Sequence, residues 1–254
     1  MARLLVPLPD RDFDVTEVAV PWRLATRAGH DVVFATEAGD VTPACDPLLI
    51  DGVLFGKLGA AAEPIAFYRE MEGDPAFQRP VSWRALDPLD FDGLVLPGGH
   101  APGMVQYLGS AELQALVAGF FATGRPVGAI CHGVLVAARA GALRERRTTC
   151  LPKYMERSAY LLTFWKLGRY YRTYPAYVEE EVRAALADPA AQFVRGPRTV
   201  SRRGTADDDS AAFAVEDGSY VSARWPGDAY LFSRLFLARL AAVGAGAGGI
   251  ARPA

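Results

Sequence analysis

The stretch "RPVGAICHGVLVAARAGAL", Arg125 to Leu143, decides how the chain is read. Pro126–Ile130 is a short apolar run of the kind buried on both faces of a parallel sheet. An Ala/Val/Leu run with helical character follows at once, and Cys131, His132 and Gly133 stand at the junction. A thiol on a sharp strand-to-helix turn has the form of a nucleophile elbow, in which the turn exposes the side chain and the next helix points its N-terminus at it. Partial positive charge at that N-terminus favours an anion, so the expectation is a Cys131 thiolate with a lowered pKa. The backbone N–H of His132 then faces a developing oxyanion.

Working outward, further strands and helices alternate in the pattern of a parallel sheet covered on both faces. "RLLVPL" (Arg3–Leu8), "DVVFAT" (Asp31–Thr36), "DGLVLPGG" (Asp92–Gly99, strand to Pro97) and Pro126–Ile130 read as strands that are parallel neighbours. A helix ends at Ala28-Gly29. Another carries Leu113, Leu116, Val117, Phe120 and Phe121 on one face, with Ser110 as N-cap and Gly124 as its stop. "AAFAVEDGSYVSARW" reads as a hairpin turning at Asp217-Gly218, and a last helix covers Asp228 to Ala242. The expected architecture is α/β: a flavodoxin-like three-layer sandwich with a mostly parallel sheet and a nucleophile elbow. Lys57–Trp83 is a long Gly-, Pro- and aromatic-rich excursion, and the aromatic stretch Lys153–Pro189 reads as an inserted helical subdomain. One domain spans 1–242, and 243–254 reads as a flexible tail.

Composition excludes several function classes. The 254 residues are 51% apolar and 22% charged with a net charge of −2, so no basic surface calls for nucleic acid. The N-terminus "MARLLVPLPDRDFD" reads as neither signal peptide nor membrane helix. Three cysteines, Cys45, Cys131 and Cys150, with no C-x-x-C pair argue against a disulfide framework or a zinc site and for a cytoplasmic chain with reduced thiols. Neither metal nor cofactor is expected, and the expected partner is a small-molecule substrate, with no nucleic acid and no membrane. Cys45 and Cys150 lack the elbow context and read as packing residues.

Taken together, "GAICHG", the glycine-rich "LPGGHAPGM" one strand earlier, the early Glu17 and the late "YVSARWPGDA" resemble the ThiJ/PfpI superfamily. That group holds the parkinsonism-associated protein deglycase, the PfpI-type proteases and glyoxalase III-like stress proteins. The resemblance covers roughly residues 1–150 and 190–240. It implies a reactive Cys131, a neighbouring His132, Glu17 as an acidic partner over the thiol, and a homodimer. Glu17 also stands three residues after Asp14, the spacing of a capping box, which is its structural alternative. Gly98 and Gly99 allow backbone N–H groups to approach Cys131 and complete an oxyanion hole, while His100 either contacts substrate or is a loop histidine held by a backbone carbonyl.

Two departures from the resemblance narrow the chemistry. Glutamine amidotransferases that share the elbow need a late histidine, and no histidine follows His132. In the glyoxalase III-like branch an aspartate orients the histidine, and Lys153 holds the matching place after "TTCLP"; Glu156 or one of Asp207–Asp209 is left as a substitute. The resulting expectation is a thiol-dependent lyase or hydrolase in which Cys131 attacks a small electrophilic carbon and Glu17 moves the proton. The resemblance points to a glyoxalase III-like or deglycase-like hydratase of 2-oxoaldehydes. The alternatives are an isonitrile hydratase and a non-enzymatic redox sensor or holdase that works through Cys131 oxidation.

Overall fold

The structure, a computed structural model, describes residues 1–247 apart from Thr173 and Val200. In chain order the elements are β1 (Arg3–Pro7), β2 (Arg11–Phe13), α1 (Val15–Arg27), β3 (Asp31–Thr36), β4 (Ala44–Cys45), α2 (Pro47–Asp51), α3 (Ala62–Met71), α4 (Pro75–Gln78), β5 (Val81–Ser82), β6 (Gly93–Leu96), α5 (Met104–Gly109), α6 (Ala111–Ala122) and β7 (Val127–Ile130). They continue with α7 (Gly133–Arg139), α8 (Lys153–Leu167), α9 (Val178–Ala184), α10 (Pro189–Gln192), β8 (Ala214–Asp217), β9 (Tyr220–Ala223) and α11 (Ala229–Ala247).

One sheet of seven strands runs in the order β5-β3-β1-β6-β7-β9-β8. The four expected strands are parallel neighbours, with Leu5 opposite Val33, Leu4 opposite Gly93 and Leu94 opposite Val127. Only β8 runs antiparallel, against β9. The fold is therefore the expected α/β sandwich. Every residue of β6 and β7 is buried, as a strand covered on both faces requires. Helices α1, α3 and α11 pack together as one layer, and α5, α6, α7 and α9 form the other. Ser110 does cap α6, accepting from the Leu113 amide at 3.1 Å.

Three details differ from the sequence reading. The hairpin turns at Gly218-Ser219, since Asp217 still pairs with Tyr220. Gly218 alone takes a positive φ, +60°, the pattern of a type II′ turn, and this moves the turn one residue on. The Lys57–Trp83 excursion contributes β5 to the edge of the sheet, through a strand too short to show periodicity. α11 continues to Ala247, into the segment read as tail; residues 248–254 lie outside the described residues. Among the described residues no helix is long and apolar enough to cross a membrane.

The strand-to-helix step is clamped between β6 and α7. A Cβ built on Gly133 would stand 2.6 Å from the Pro97 carbonyl oxygen and closer still to that of Leu96, neither of which can move without breaking the sheet. Gly141, by contrast, has φ +73° and open space around it. Gly133→Ala should therefore cost about 3 kcal/mol or more through overpacking against backbone. Gly141→Ala should cost only about 1 kcal/mol of backbone strain. Urea denaturation of both variants measures the difference, and equal losses would show that the elbow is not clamped.

Candidate active site

Cys131 sits between β7 and α7 with φ +56°, a left-handed conformation that costs a residue with a Cβ about 1 kcal/mol or more. The strain is held by its own amide, which donates to the Ala223 carbonyl at 3.0 Å, and by His132, which begins α7 as its N-cap. The turn thus directs the thiol off the carboxyl end of the sheet, towards the first turn of α1. The sulfur lies 3.4 Å from Nδ1 of His132. The His132 backbone N–H acts on the Cys131 sulfur itself and favours its anion.

Glu17 reaches the thiol because only half of a capping box forms at α1. Asp14 caps the helix, accepting from the Thr16 and Glu17 amides at 2.8 and 3.1 Å. The reciprocal bond from the Asp14 amide goes instead to the Gly98 carbonyl at 2.8 Å, so the Glu17 side chain is released from the cap. Its Oε2 accepts from the Gly98 N–H at 2.8 Å. Its Oε1 is buried without a hydrogen-bond partner, and the Cys131 thiol is the side chain that interacts with the Glu17 carboxyl. Pro21 lies inside α1 and donates nothing to the Glu17 carbonyl four residues back, yet the helix continues through it.

This geometry corrects the role expected of Gly98. Its amide, read as an oxyanion donor, is committed to Glu17. What the glycine supplies is proximity: a Cβ there would lie 2.6 Å from the His132 nitrogen, 2.9 Å from Glu17 Oε2 and 3.1 Å from the Cys131 Cβ. Gly99 is also a close-packing glycine, its Cβ position 2.7 Å from the Asp12 carbonyl oxygen and 2.9 Å from the Met104 sulfur.

The expected depression of the thiol pKa is corrected as well. Glu17 is fully buried and Cys131 only 1% exposed. Burial pushes the Cys131 thiol well above its ordinary range, and the Glu17 and Asp14 carboxyls push it further. Burial also raises Glu17 well above the usual carboxylate range, with Asp14 adding to the effect. Asp14 is pushed up to about 6, again mainly by burial. Loss of hydration outweighs a helix dipole that acts over only the seven residues of α7. Glu17 and Cys131 therefore titrate as a coupled pair in which the Glu17 anion disfavours the thiolate.

No carboxylate among the described residues orients His132. Burial keeps it neutral, and the titratable neighbours acting on it are His100 and Arg139. Glu156 accepts from the Val178 amide at 2.9 Å and faces Arg172, while Asp208 and Asp209 pair with Arg202 and Arg234. Lys153 pairs with Glu180. Of the substitutes considered for a triad acid, Glu156, Asp208 and Asp209 are thus engaged elsewhere, and Asp207 is exposed. His100 packs edge-on against His132 with ring centres 4.5 Å apart, and burial lowers its pKa to about 4.

Several residues at the site escaped sequence reading. Tyr171 brings the segment after α8 onto the site, edge-on to His100 at 5.7 Å. Tyr170 and Tyr171 both donate to the buried Asp46 at 3.0 Å. Arg224 and Asp228, inside "YVSARWPGDA", form a fully buried ion pair at 2.8 Å, and the Asp228 charge is felt at Glu17. Only the Asp14 N-cap spacing carried a readable signal. The others depend on contacts between distant segments.

Comparison with known proteins places these features in a family context. A family model described as ThiJ/PfpI family-like matches residues 8–197. An uncharacterized protein of Schizosaccharomyces pombe is 28% identical over 91% of this chain and 81% of its own length. Deglycase PYRAB04690 of Pyrococcus abyssi is 26% identical over 92% of this chain and 97% of its own. Among solved structures, glyoxalase III from Candida albicans aligns with a TM-score of 0.62 at 17% identity, covering 94% of this chain and 97% of its own.

Burying a carboxyl with a raised pKa makes stability depend on pH. The folded state holds protons that the unfolded state releases, so this contribution is full below the ordinary carboxylate range and is lost as pH rises through the folded values, about 6 for Asp14 and higher than usual for Glu17. Glu17→Gln removes one such group and keeps its shape. The variant's melting temperature should exceed that of the wild type by a margin that widens from pH 4 to pH 8. Thermal melts across that range test this, and a constant margin would show that Glu17 is not buried as a proton-holding acid.

Proposed function

The chain belongs to the ThiJ/PfpI-like family, and from that premise we propose that it converts 2-oxoaldehydes to 2-hydroxy acids, with Cys131 as nucleophile and Glu17 as general acid and base. The observation that carries this reading is the buried Glu17 carboxyl, held by the Gly98 amide and interacting with the Cys131 thiol. His132 also touches the sulfur, but with no carboxylate among the described residues to orient it and with its pKa lowered by burial, Glu17 is the better acid–base candidate. The Pyrococcus relatives named as deglycases and the Candida fold neighbour titled glyoxalase III support a thiol directed at carbonyl compounds.

The chemistry follows from the proton balance. An ordinary carboxylate is a weak base for a thiol, and the raised Glu17 pKa makes this one a stronger base. Ionised Glu17 takes the thiol proton as sulfur adds to the aldehyde carbon, and the proton is then delivered to the aldehyde oxygen, giving a hemithioacetal. Transfer of the remaining hydrogen on that carbon, as a proton, to the neighbouring ketone carbon, with the hydroxyl proton passing to the ketone oxygen, gives a 2-hydroxy thioester. Water then releases the 2-hydroxy acid and restores the thiol. The sum is one water added with no net oxidation. In this reading the His132 amide beside the sulfur is the donor for the adduct's oxygen, and Tyr171 and His100 close the site above it.

Methylglyoxal, glyoxal and an alkyl isonitrile are the test substrates. Cys131→Ser should abolish turnover of a 2-oxoaldehyde, because an alkoxide is far less accessible than a thiolate at neutral pH. In Glu17→Gln the Gly98 amide selects the carboxamide oxygen, so the NH₂ faces sulfur and no proton can be carried. Its rate should fall by roughly 10²–10⁴ with little change in KM. Turnover that survives Cys131→Ser would end the mechanism. Turnover of the isonitrile alone would transfer the same residues to isonitrile hydration, and wild-type inactivity on all three would favour the redox-sensor reading.

A further inference from the structure

A recess lies along α8, and Cys131, Glu17 and His132 are not among its lining residues. It is a groove of about 730 Å³, within the range of small-molecule sites. One wall is a single face of α8, with Lys153, Tyr154, Arg157 and Leu161 at helical spacing; the other is the segment carrying Arg195 and Arg198. Four cations thus meet one lining carboxylate, Glu179, on a chain whose net charge is −2.

The walls are braced. Glu179 is only 3% exposed and accepts from the Lys153 backbone N–H at 2.8 Å and from Arg195 Nε at 3.0 Å, tying the start of α8 to the opposite segment. The Tyr154 hydroxyl makes a second tie, accepting from the Thr199 amide at 3.1 Å and donating to its carbonyl at 3.2 Å. These bonds neutralise Arg195, and Glu180 neutralises Lys153. Two guanidiniums are left without a carboxylate. Arg198 lies over the Tyr154 ring with its guanidinium carbon 4.9 Å from the ring centre, and Arg157 makes no hydrogen bond or ion pair among the described residues. Leu161, one turn beyond Arg157, continues the groove as apolar surface and is 52% exposed.

We propose that this groove binds a small organic phosphate, its phosphoryl oxygens held by Arg157 and Arg198 and its apolar portion resting on Leu161. Guanidinium forks match the spacing of phosphate oxygens and form charge-assisted bonds to them. The ring contact of Arg198 reduces the ordering that binding requires. The neighbouring apolar surface distinguishes an organic phosphate from the free ion.

Titration calorimetry with phenyl phosphate, and in parallel with inorganic phosphate, tests the assignment on the full chain. Phenyl phosphate should bind saturably with a Kd below about 1 mM, weaken with added salt, and bind more tightly than inorganic phosphate. Arg157→Ala and Arg198→Ala should each weaken it roughly tenfold, the scale of a lost charge-assisted hydrogen bond. Leu161→Ala should bring phenyl phosphate down to the affinity of the inorganic ion. All three changes lie at the surface, so thermal melts should match the wild type. No saturable binding, binding indifferent to the arginine changes, or equal affinity for the two probes in the wild type would each overturn the proposal.

Discussion

The site depends on Gly98 having no side chain. Three groups crowd the place where its Cβ would stand: the His132 nitrogen, a Glu17 oxygen and the Cys131 Cβ. Any other residue would separate the elbow from α1 and the acid from the thiol. The same glycine uses its amide to fix Glu17 and its carbonyl to accept from the Asp14 amide, so both polar groups of one peptide position the carboxyl. The start of α1, the end of β6 and the start of α7 are thus joined at one point, and it is there that the strain of the Cys131 backbone is held.

Burial then sets the chemistry. Taking a thiol and two carboxyls out of water raises the pKa of all three. Such groups cost stability when ionised, which is why they are uncommon in a core and informative when found. A carboxylate with a raised pKa is a stronger base than an exposed one. In this reading, the loss of water that makes Cys131 a poor spontaneous thiolate is what makes Glu17 a usable base.

Local sequence carried the parts of the fold that depend on local physics. The buried run Pro126–Ile130 followed by a helix specified the elbow, and Asp14 before Val15 specified the cap. The spacing of Asp14 and Glu17 suits both a cap and a site, and the bond from the Asp14 amide to Gly98 decides between them. The direction of the Cys131 pKa was not legible, because a helix N-terminus is visible in sequence and complete burial beside two acids is not. Tyr170 and Tyr171 reach Asp46 across 124 and 125 residues, a pairing that no periodicity announces. The hairpin fell one residue away because Asp-Gly and Gly-Ser both suit a two-residue turn, and only strand register chooses between them.

The central claim is that Glu17 and Cys131 titrate as one buried pair, with the carboxylate holding the thiol in its protonated form. Its most direct measurement is the pH titration of thiolate ultraviolet absorbance in the wild type and in Glu17→Gln, each taken as the difference from the matching Cys131→Ser protein. The account predicts a wild-type midpoint above the ordinary thiol value near 8.5. It predicts a lower midpoint in Glu17→Gln, where the neighbouring negative charge is gone. A thiolate already formed in the wild type below about pH 7, with the same midpoint in the variant, would contradict it.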